Sequence, residues 1–209
     1  MYYPVQLNLK GRTCLVVGGG EVAYRKVRAL LSFGAKVKLV SPEIVPGFNN
    51  LKKNERFKYI KKRYSLKDLK NVFLAVVATD NMELNATISA AAKSRKVLVN
   101  VVDVPGLCDF ILPAIAKRGD LTITVSTNGV SPSLAKYLRK DIEKRYGGYA
   151  GLLKPLKEMR SKIIKLDKKK KEKVWNSIIN EAFLKKNRKL SGPQIENAVL
   201  EKLKEQGLS

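Results

Sequence analysis

A glycine-rich turn and one strand-end carboxylate are the residues best placed to do chemistry. The apolar run Cys14-Leu15-Val16-Val17 leads into Gly18-Gly19-Gly20-Glu21-Val22-Ala23, so Gly18, Gly20 and Ala23 stand at the spacing G-x-G-x-x-A. In that pattern Gly18 permits a tight turn. Gly20 lets the backbone approach a pyrophosphate, and small Ala23 lets the helix pack on the strand. The helix start adds free N–H groups and a partial positive charge. Gly18, Gly19, Gly20, Glu21 and Val22 are therefore expected to hold dinucleotide phosphates. The plainer reading is a strand–helix turn with no ligand. The strand before and the helix after favour the nucleotide site.

Ligands of an open parallel sheet bind beyond the carboxyl ends of its strands. Three more loops are expected there. In Ser41-Pro42-Glu43, Ser41 holds the place where an acid usually binds ribose hydroxyls, about 20 residues beyond the glycines. Glu43 follows two residues later, so Ser41, Pro42 and Glu43 are expected around the ribose. Lys36 and Lys38 leave a 2′-phosphate open, although alternation points them to solvent. Ala78-Thr79-Asp80 offers Thr79 and Asp80 to the cofactor from the far side of the crevice, or as helix caps. Asn100-Val101-Val102-Asp103-Val104-Pro105 puts Asp103 at the end of a buried strand. A partly desolvated carboxylate there can take a proton at neutral pH if its pKa is raised. The plainer reading of Asp103 is a turn cap before Pro105. A fourth element, Ser126-Thr127-Asn128-Gly129-Val130-Ser131-Pro132, sets hydroxyls ahead of a helix N-terminus. That is a seat for carboxylate or phosphate, or ordinary capping by Ser131.

Alternating strands and helices must carry these loops. Strands are expected at 15–17, 36–40, 57–64, 72–78 and 97–102. Helices are expected at 21–33 and after Asp80-x-x-Glu83, with a short or irregular one around Phe48. Repeated βα units imply a doubly wound parallel sheet with right-handed crossovers. The pattern then changes to a hairpin, 110–116 and 121–126, joined at Arg118-Gly119-Asp120. A helix follows from Ser131-Pro132 to a stop at Gly147-Gly148. From Tyr149 onward everything reads as helix: amphipathic segments at 152–164 and 174–183, and a last one starting at Ser191-Gly192-Pro193. The lysines at 168–171 read as a solvated connection or helix face. The expected architecture is α/β. A Rossmann-like sheet domain (1–113) precedes a hairpin and helix for dimerisation and substrate (114–148), then a C-terminal helical domain (149–209).

Composition narrows the chemistry. The 209 residues are 44% hydrophobic and contain no histidine. That removes the commonest general base and metal ligand. Two cysteines, Cys14 and Cys108, cannot alone close a zinc site, so no metal site is expected. Acid–base work falls to carboxylates, Lys, Tyr or Cys. The two thiols fit a reducing, cytoplasmic setting better than a disulfide framework. No stretch approaches the roughly 20 apolar residues of a membrane span, and the first residues do not read as a secretion signal. A surplus of 42 Lys+Arg over 18 Asp+Glu, formally +24, points to anionic partners or to a lysine-rich surface. The basic residues are spread along the chain and not clustered, which argues against nucleic acid.

Together these segments resemble the siroheme synthase N-terminal family, the precorrin-2 dehydrogenases with or without sirohydrochlorin ferrochelatase activity. The likeness rests on Tyr3-Pro4-Val5 with Leu9, Val17 to Ala23 with Arg25-Lys26, and Val40-Ser41-Pro42-Glu43. It continues with Ala78-Thr79-Asp80, Asn100-Val101-Val102-Asp103, Phe110-Ile111-Leu112-Pro113-Ala114 and Ser126-Thr127-Asn128-Gly129-x-Ser131-Pro132. Residues 149–209 share only a helical, basic character with it. The resemblance implies NAD as cofactor, a polycarboxylate tetrapyrrole as substrate and a homodimer. It implies that Asp103 is the key aspartate of dehydrogenation and, in bifunctional members, of iron insertion. Asn100, Ser126, Thr127, Asn128, Gly129 and Ser131 would contact substrate. Thr127 stands where some relatives carry a phosphorylatable serine, and Asn128 replaces a usual glycine. The rival reading is a nucleotide-sensing regulatory module with a helical effector part. Such modules usually keep the acid that Ser41 replaces.

Overall fold

In the computed structural model, residues 2–187, 192–205 and 207 are described. They form two compact units, Met1–Leu112 and Pro113–Ser209. The first holds a five-stranded sheet: β1 (Thr13–Val17), β2 (Lys36–Ser41), β3 (Phe57–Lys61), β4 (Leu74–Val77) and β5 (Leu98–Val101). The helices are α1 (Glu21–Ser32) and α2 (Met82–Ser94), with 3-10 turns at Pro46–Leu51, Leu66–Leu69 and Pro105–Leu107.

All strands run parallel in the order β3-β2-β1-β4-β5. The order reverses between β1 and β4, which makes the C-terminal end of β1 the switch point of a Rossmann-like sheet. Both faces of β1 are buried, so it reads as a continuous apolar run and not an alternating one. Cys14 and Val16 pack on one side with Val27, Leu31 and Phe48. Leu15 and Val17 pack on the other with Val77, Ile88 and Val99. Each such side chain contributes about 1.5–3 kcal/mol on burial. Burial raises the Cys14 thiol to about 11, so this sulfur is an inert core group.

The second unit holds an antiparallel hairpin, β6 (Ala114–Arg118) and β7 (Leu121–Val125), under α3 (Pro132–Tyr146). Next come a 3-10 stretch, Gly147–Leu152, and helices α4 (Leu153–Ile163), α5 (Lys168–Ile178), α6 (Glu181–Asn187) and α7 (Gly192–Glu205). Met159, Ile163, Ile178, Ile195 and Leu203 centre a separate core. No helix among the described residues is long and apolar enough to cross a membrane.

Several boundaries differ from expectation for local reasons. β6 starts at Ala114 and not at 110, because residues 108–110 are tethered to β5. α3 does end where expected, at Tyr146 with Gly147 as its C-cap. The chain tightens into the 3-10 turn, and a Cβ at Gly147 would stand 2.9 Å from the Arg118 Nε. The segment 174–183 is broken, since the Asn180 side chain accepts the Phe183 N–H and begins α6. The lysines at 168–171 open α5, whose first turn is capped by Asp167 through the Lys170 N–H. That bond, then the Lys170 charge, outweighs solvation loss and lowers the Asp167 carboxyl below its usual range. Ser191 lies outside the described residues.

Candidate functional site

The glycine turn is shaped from both sides. Gly18 is buried, with φ +112, and a Cβ there would lie 2.1 Å from the Ala78 carbonyl oxygen. A Cβ on Gly19 would lie 1.8 Å from the Glu43 carbonyl oxygen. The Gly18 N–H donates to the Val40 carbonyl at 3.1 Å, and the Val45 N–H donates to the Gly19 carbonyl at 2.9 Å. Two neighbouring loops thus press on this turn, and only glycine fits between them. Gly20 differs. It is exposed, its backbone is extended (φ −79, ψ −177), and a Cβ would meet nothing within 4 Å. Open space beside Gly20 is what a phosphate group needs.

Gly20 is the N-cap of α1 without a side-chain cap. The first helical bond runs from the Tyr24 N–H to the Gly20 carbonyl at 3.0 Å. The N–H groups of Glu21, Val22 and Ala23 precede that bond and project from the helix end. Buried Ala23 brings α1 against the sheet, as its position in the motif requires. This donor set with the open cradle fits a dinucleotide pyrophosphate.

The ribose side is differently built than expected. Ser41 is the last residue of β2, is buried, and donates its hydroxyl to the Glu43 carbonyl at 2.6 Å. It shapes the loop from within. Pro42 and Glu43 are exposed just beyond the end of β2. Lys38 does not point freely to solvent. Its ammonium donates to the Asp68 carbonyl, and burial lowers its pKa, with Asp68 opposing that shift. Lys38 is therefore occupied within the fold and unavailable to a 2′-phosphate.

Beyond β4, the Thr79 hydroxyl donates to Asn85 Oδ1 at 2.6 Å, and Asn85 Nδ2 returns a bond to the Thr79 carbonyl at 2.9 Å. The cap of α2 is Asn81, whose side chain accepts the Leu84 N–H at 2.8 Å. Asp80 is not the cap. It stands exposed at the strand end.

Asp103 follows β5 at φ +61 on an exposed turn. The expectation of partial desolvation is corrected: its carboxylate faces solvent. It lies within the electrostatic field of Lys26, which is half-buried on α1. Burial, then Arg25, lowers the Lys26 ammonium pKa, and Asp103 partly restores it. Asn100, expected to touch substrate, turns inward. Its amide is buried and donates to the Phe110 carbonyl at 2.9 Å.

In the second unit the loop before α3 is a tight turn. Asn128 and Gly129 have φ +52 and +86, a conformation that Asn tolerates better than most side chains. Ser126 Oγ accepts the Asn128 N–H, and Ser131 Oγ accepts the Leu134 N–H. The Thr127 hydroxyl accepts the Ser131 N–H at 3.0 Å and donates to the Ser131 carbonyl at 3.1 Å. Ser126 and Ser131 keep a hydroxyl proton to donate, whereas Thr127 is used in both directions.

Comparison with known proteins fits this geometry. A family model described as NAD(P)-binding matches residues 5–114, and a second, described as sirohaem biosynthesis protein central, matches residues 118–145. A solved structure titled SirC, precorrin-2 dehydrogenase, is 30% identical with TM-score 0.75, covering 96% of this chain and 100% of that one. The chain belongs to the siroheme synthase and precorrin-2 dehydrogenase family. The siroheme synthase of Stutzerimonas stutzeri is 44% identical over 157 residues, 73% of this chain and 34% of that protein. That of Mannheimia succiniciproducens is 35% identical over 200 residues, 94% of this chain and 41% of that protein. The chain therefore spans well under half the length of these two siroheme synthases. Within the family fold, sequence reasoning missed Ser89, Asn85, Cys108 and Asp109. Their side chains bond to backbone of strand β5 or of the loops beside it, and no spacing rule marks such contacts.

Proposed function

We propose that the protein oxidises precorrin-2 to sirohydrochlorin with NAD⁺ as acceptor. The observation that carries this reading is the pairing, within one compact unit, of an open dinucleotide cradle with an exposed strand-end carboxylate. When bound, NAD⁺ supplies a hydride acceptor. The reaction removes one hydride and one proton from the substrate, so a single base beside the acceptor suffices. Asp103 takes that proton and, being exposed, releases it to water. Gly18 to Val22 hold the pyrophosphate, and Pro42 and Glu43 flank the ribose, with Ser41 holding their loop in shape. Thr79 and Asp80 border the cofactor on the far side. A carboxylate at Glu43 favours a ribose diol over a 2′-phosphate, which supports NAD.

A polyanionic tetrapyrrole suits the +24 charge. The loop Ser126 to Ser131 offers the N-terminus of α3 and two hydroxyl donors to a carboxylate arm. The protein acts as a homodimer through the hairpin and α3. Val130, Leu134 and Tyr137 are 87%, 49% and 68% exposed, an apolar strip in want of cover. A two-stranded sheet also gains from a neighbour. The setting of the reaction is cytoplasmic.

The direct test mixes the protein with NAD⁺ and precorrin-2, following NADH absorbance and the tetrapyrrole spectrum. Equal amounts of NADH and sirohydrochlorin are expected. Absence of both in folded, NAD⁺-binding protein would refute the reading.

A further inference from the structure

β5 is one of the two edge strands of the sheet, and its outer N–H and C=O groups need partners. Among the described residues no sixth strand serves them. Two consecutive residues, Cys108 and Asp109, do so, mostly through side chains. The Asp109 N–H donates to the Val99 carbonyl at 2.8 Å, and the Asp109 carboxylate accepts the Val99 N–H at 3.0 Å. Two residues along β5, the Val101 N–H donates to Cys108 Sγ at 3.2 Å. The Cys108 S–H lies 3.1 Å from the Val101 carbonyl oxygen and 3.3 Å from that of Val104. Asn100 holds the Phe110 carbonyl, and Ser89 Oγ donates to the Leu107 carbonyl at 2.7 Å.

The turn that carries Asp103 is closed by a long backbone bond, from the Val104 N–H to the Val101 carbonyl at 3.3 Å, and the sulfur braces it from outside. Val101 and Val104 stand on either side of Asp103, and both bond the same sulfur. Asp103 itself has φ +61, a conformation that costs free energy for a residue other than glycine and persists only where the surroundings hold it. We propose that Cys108 is a positioning residue: its thiol bridges Val101 and Val104 and thereby fixes the Asp103 carboxylate where the substrate proton is taken. This rests on the dehydrogenase reading and on Asp103 as its base.

The sulfur has a geometric reason. One atom must accept from an N–H and donate toward two carbonyls, all at 3.1–3.3 Å. A hydroxyl has a shorter bond to Cβ and prefers contacts near 2.8 Å. Serine therefore keeps the chemistry but must draw the turn inward. Alanine loses the sulfur contacts and leaves the turn to the 3.3 Å Val104–Val101 backbone bond alone.

The experiment compares Cys108→Ala and Cys108→Ser with the parent, each alone and in an Asp103→Asn background. Turnover with precorrin-2 and NAD⁺, KM for the tetrapyrrole, NAD⁺ affinity and thermal midpoint are measured. Cys108→Ala should lower kcat about 10–100-fold, the scale of a misplaced catalytic group. NAD⁺ affinity should be unchanged and KM should move little. Cys108→Ser should fall between alanine and parent. In the Asp103→Asn background, Cys108→Ala should cost nothing further. Parent-like kcat in Cys108→Ala, or a loss that multiplies with that of Asp103→Asn, overturns the proposal. If Cys108→Ala does not fold, Cys108→Ser carries the same comparison, and an unaltered kcat there overturns it. Parent-like turnover in Asp103→Asn alone would instead sink the underlying reading of Asp103.

Discussion

The backbone of Gly19 lies so close to the Glu43 carbonyl oxygen that a Cβ at position 19 would stand 1.8 Å from it. Gly20, one residue on, has open space where its Cβ would stand. Two adjacent glycines therefore serve different ends. Gly19 is required by the fold, and Gly20 by whatever enters from solvent.

The two should separate by mutation. Gly19→Ala should lower stability, with overpacking costing about 1–3 kcal/mol. Gly20→Val should melt like the parent, since its extended backbone suits a β-branched residue, yet lose NAD⁺ binding. Thermal melts and NAD⁺ titration of both variants check this. Parent-like NAD⁺ affinity in folded Gly20→Val would remove the pyrophosphate from this turn.

Asp103→Asn is a clean probe of the base. Asn tolerates φ near +61, so the turn should persist. Basicity is lost, and turnover should drop about 10²–10⁴-fold while NAD⁺ still binds. Near-normal turnover would return Asp103 to a turn residue.

Substrate capture should weaken with salt. Exposed ion pairs fade as the Debye length falls from about 10 Å at 0.1 M to about 3 Å at 1 M. Fluorescence titration of the tetrapyrrole across that range should give a steeply falling affinity. A flat profile would mean that the basic surplus plays no part in binding it.

The exposed strip on α3 predicts a dimer in solution. Light scattering at micromolar concentration should give twice the chain mass, and Tyr137→Glu should give a monomer by burying a charge at the contact. A monomeric parent would refute this interface.

One buried carboxylate should report on pH. Burial pushes Asp68 up, but hydrogen bonds from Lys62 and Ser65 and the Lys62 charge more than offset that, leaving its pKa below the usual value. A depressed folded pKa adds stability above the unfolded value of about 3.9, and that stability is lost as pH falls through the folded pKa. Asp68→Asn should thus be less stable than the parent at pH 7, by about 1.5 kcal/mol or more for hydrogen bonds to a charged group. The gap should close below pH 4. Denaturant melts at both pH values decide it, and a gap independent of pH would show that the charge is not what matters.

What the sequence determined alone was whatever repeats with a period or obeys a local backbone rule. The apolar run at 14–17 and the glycine spacing after it specify a buried strand, a turn and a helix, because burial and φ freedom are properties of each residue. Ser131-Pro132 marks the start of α3 for the same reason. The two apolar layers of β1 also follow from side-chain alternation. Only the tertiary structure decided where the polar side chains go. Ser41 and Asn100, plausible ligand contacts by position, are turned inward to loop carbonyls. Lys38 pairs with the backbone of Asp68, thirty residues away in sequence. Cys108 braces the Asp103 turn through contacts that no spacing predicts. A hydrogen-bonding side chain takes whichever partner the folded chain presents, so its role is settled by the packing of segments far apart in sequence.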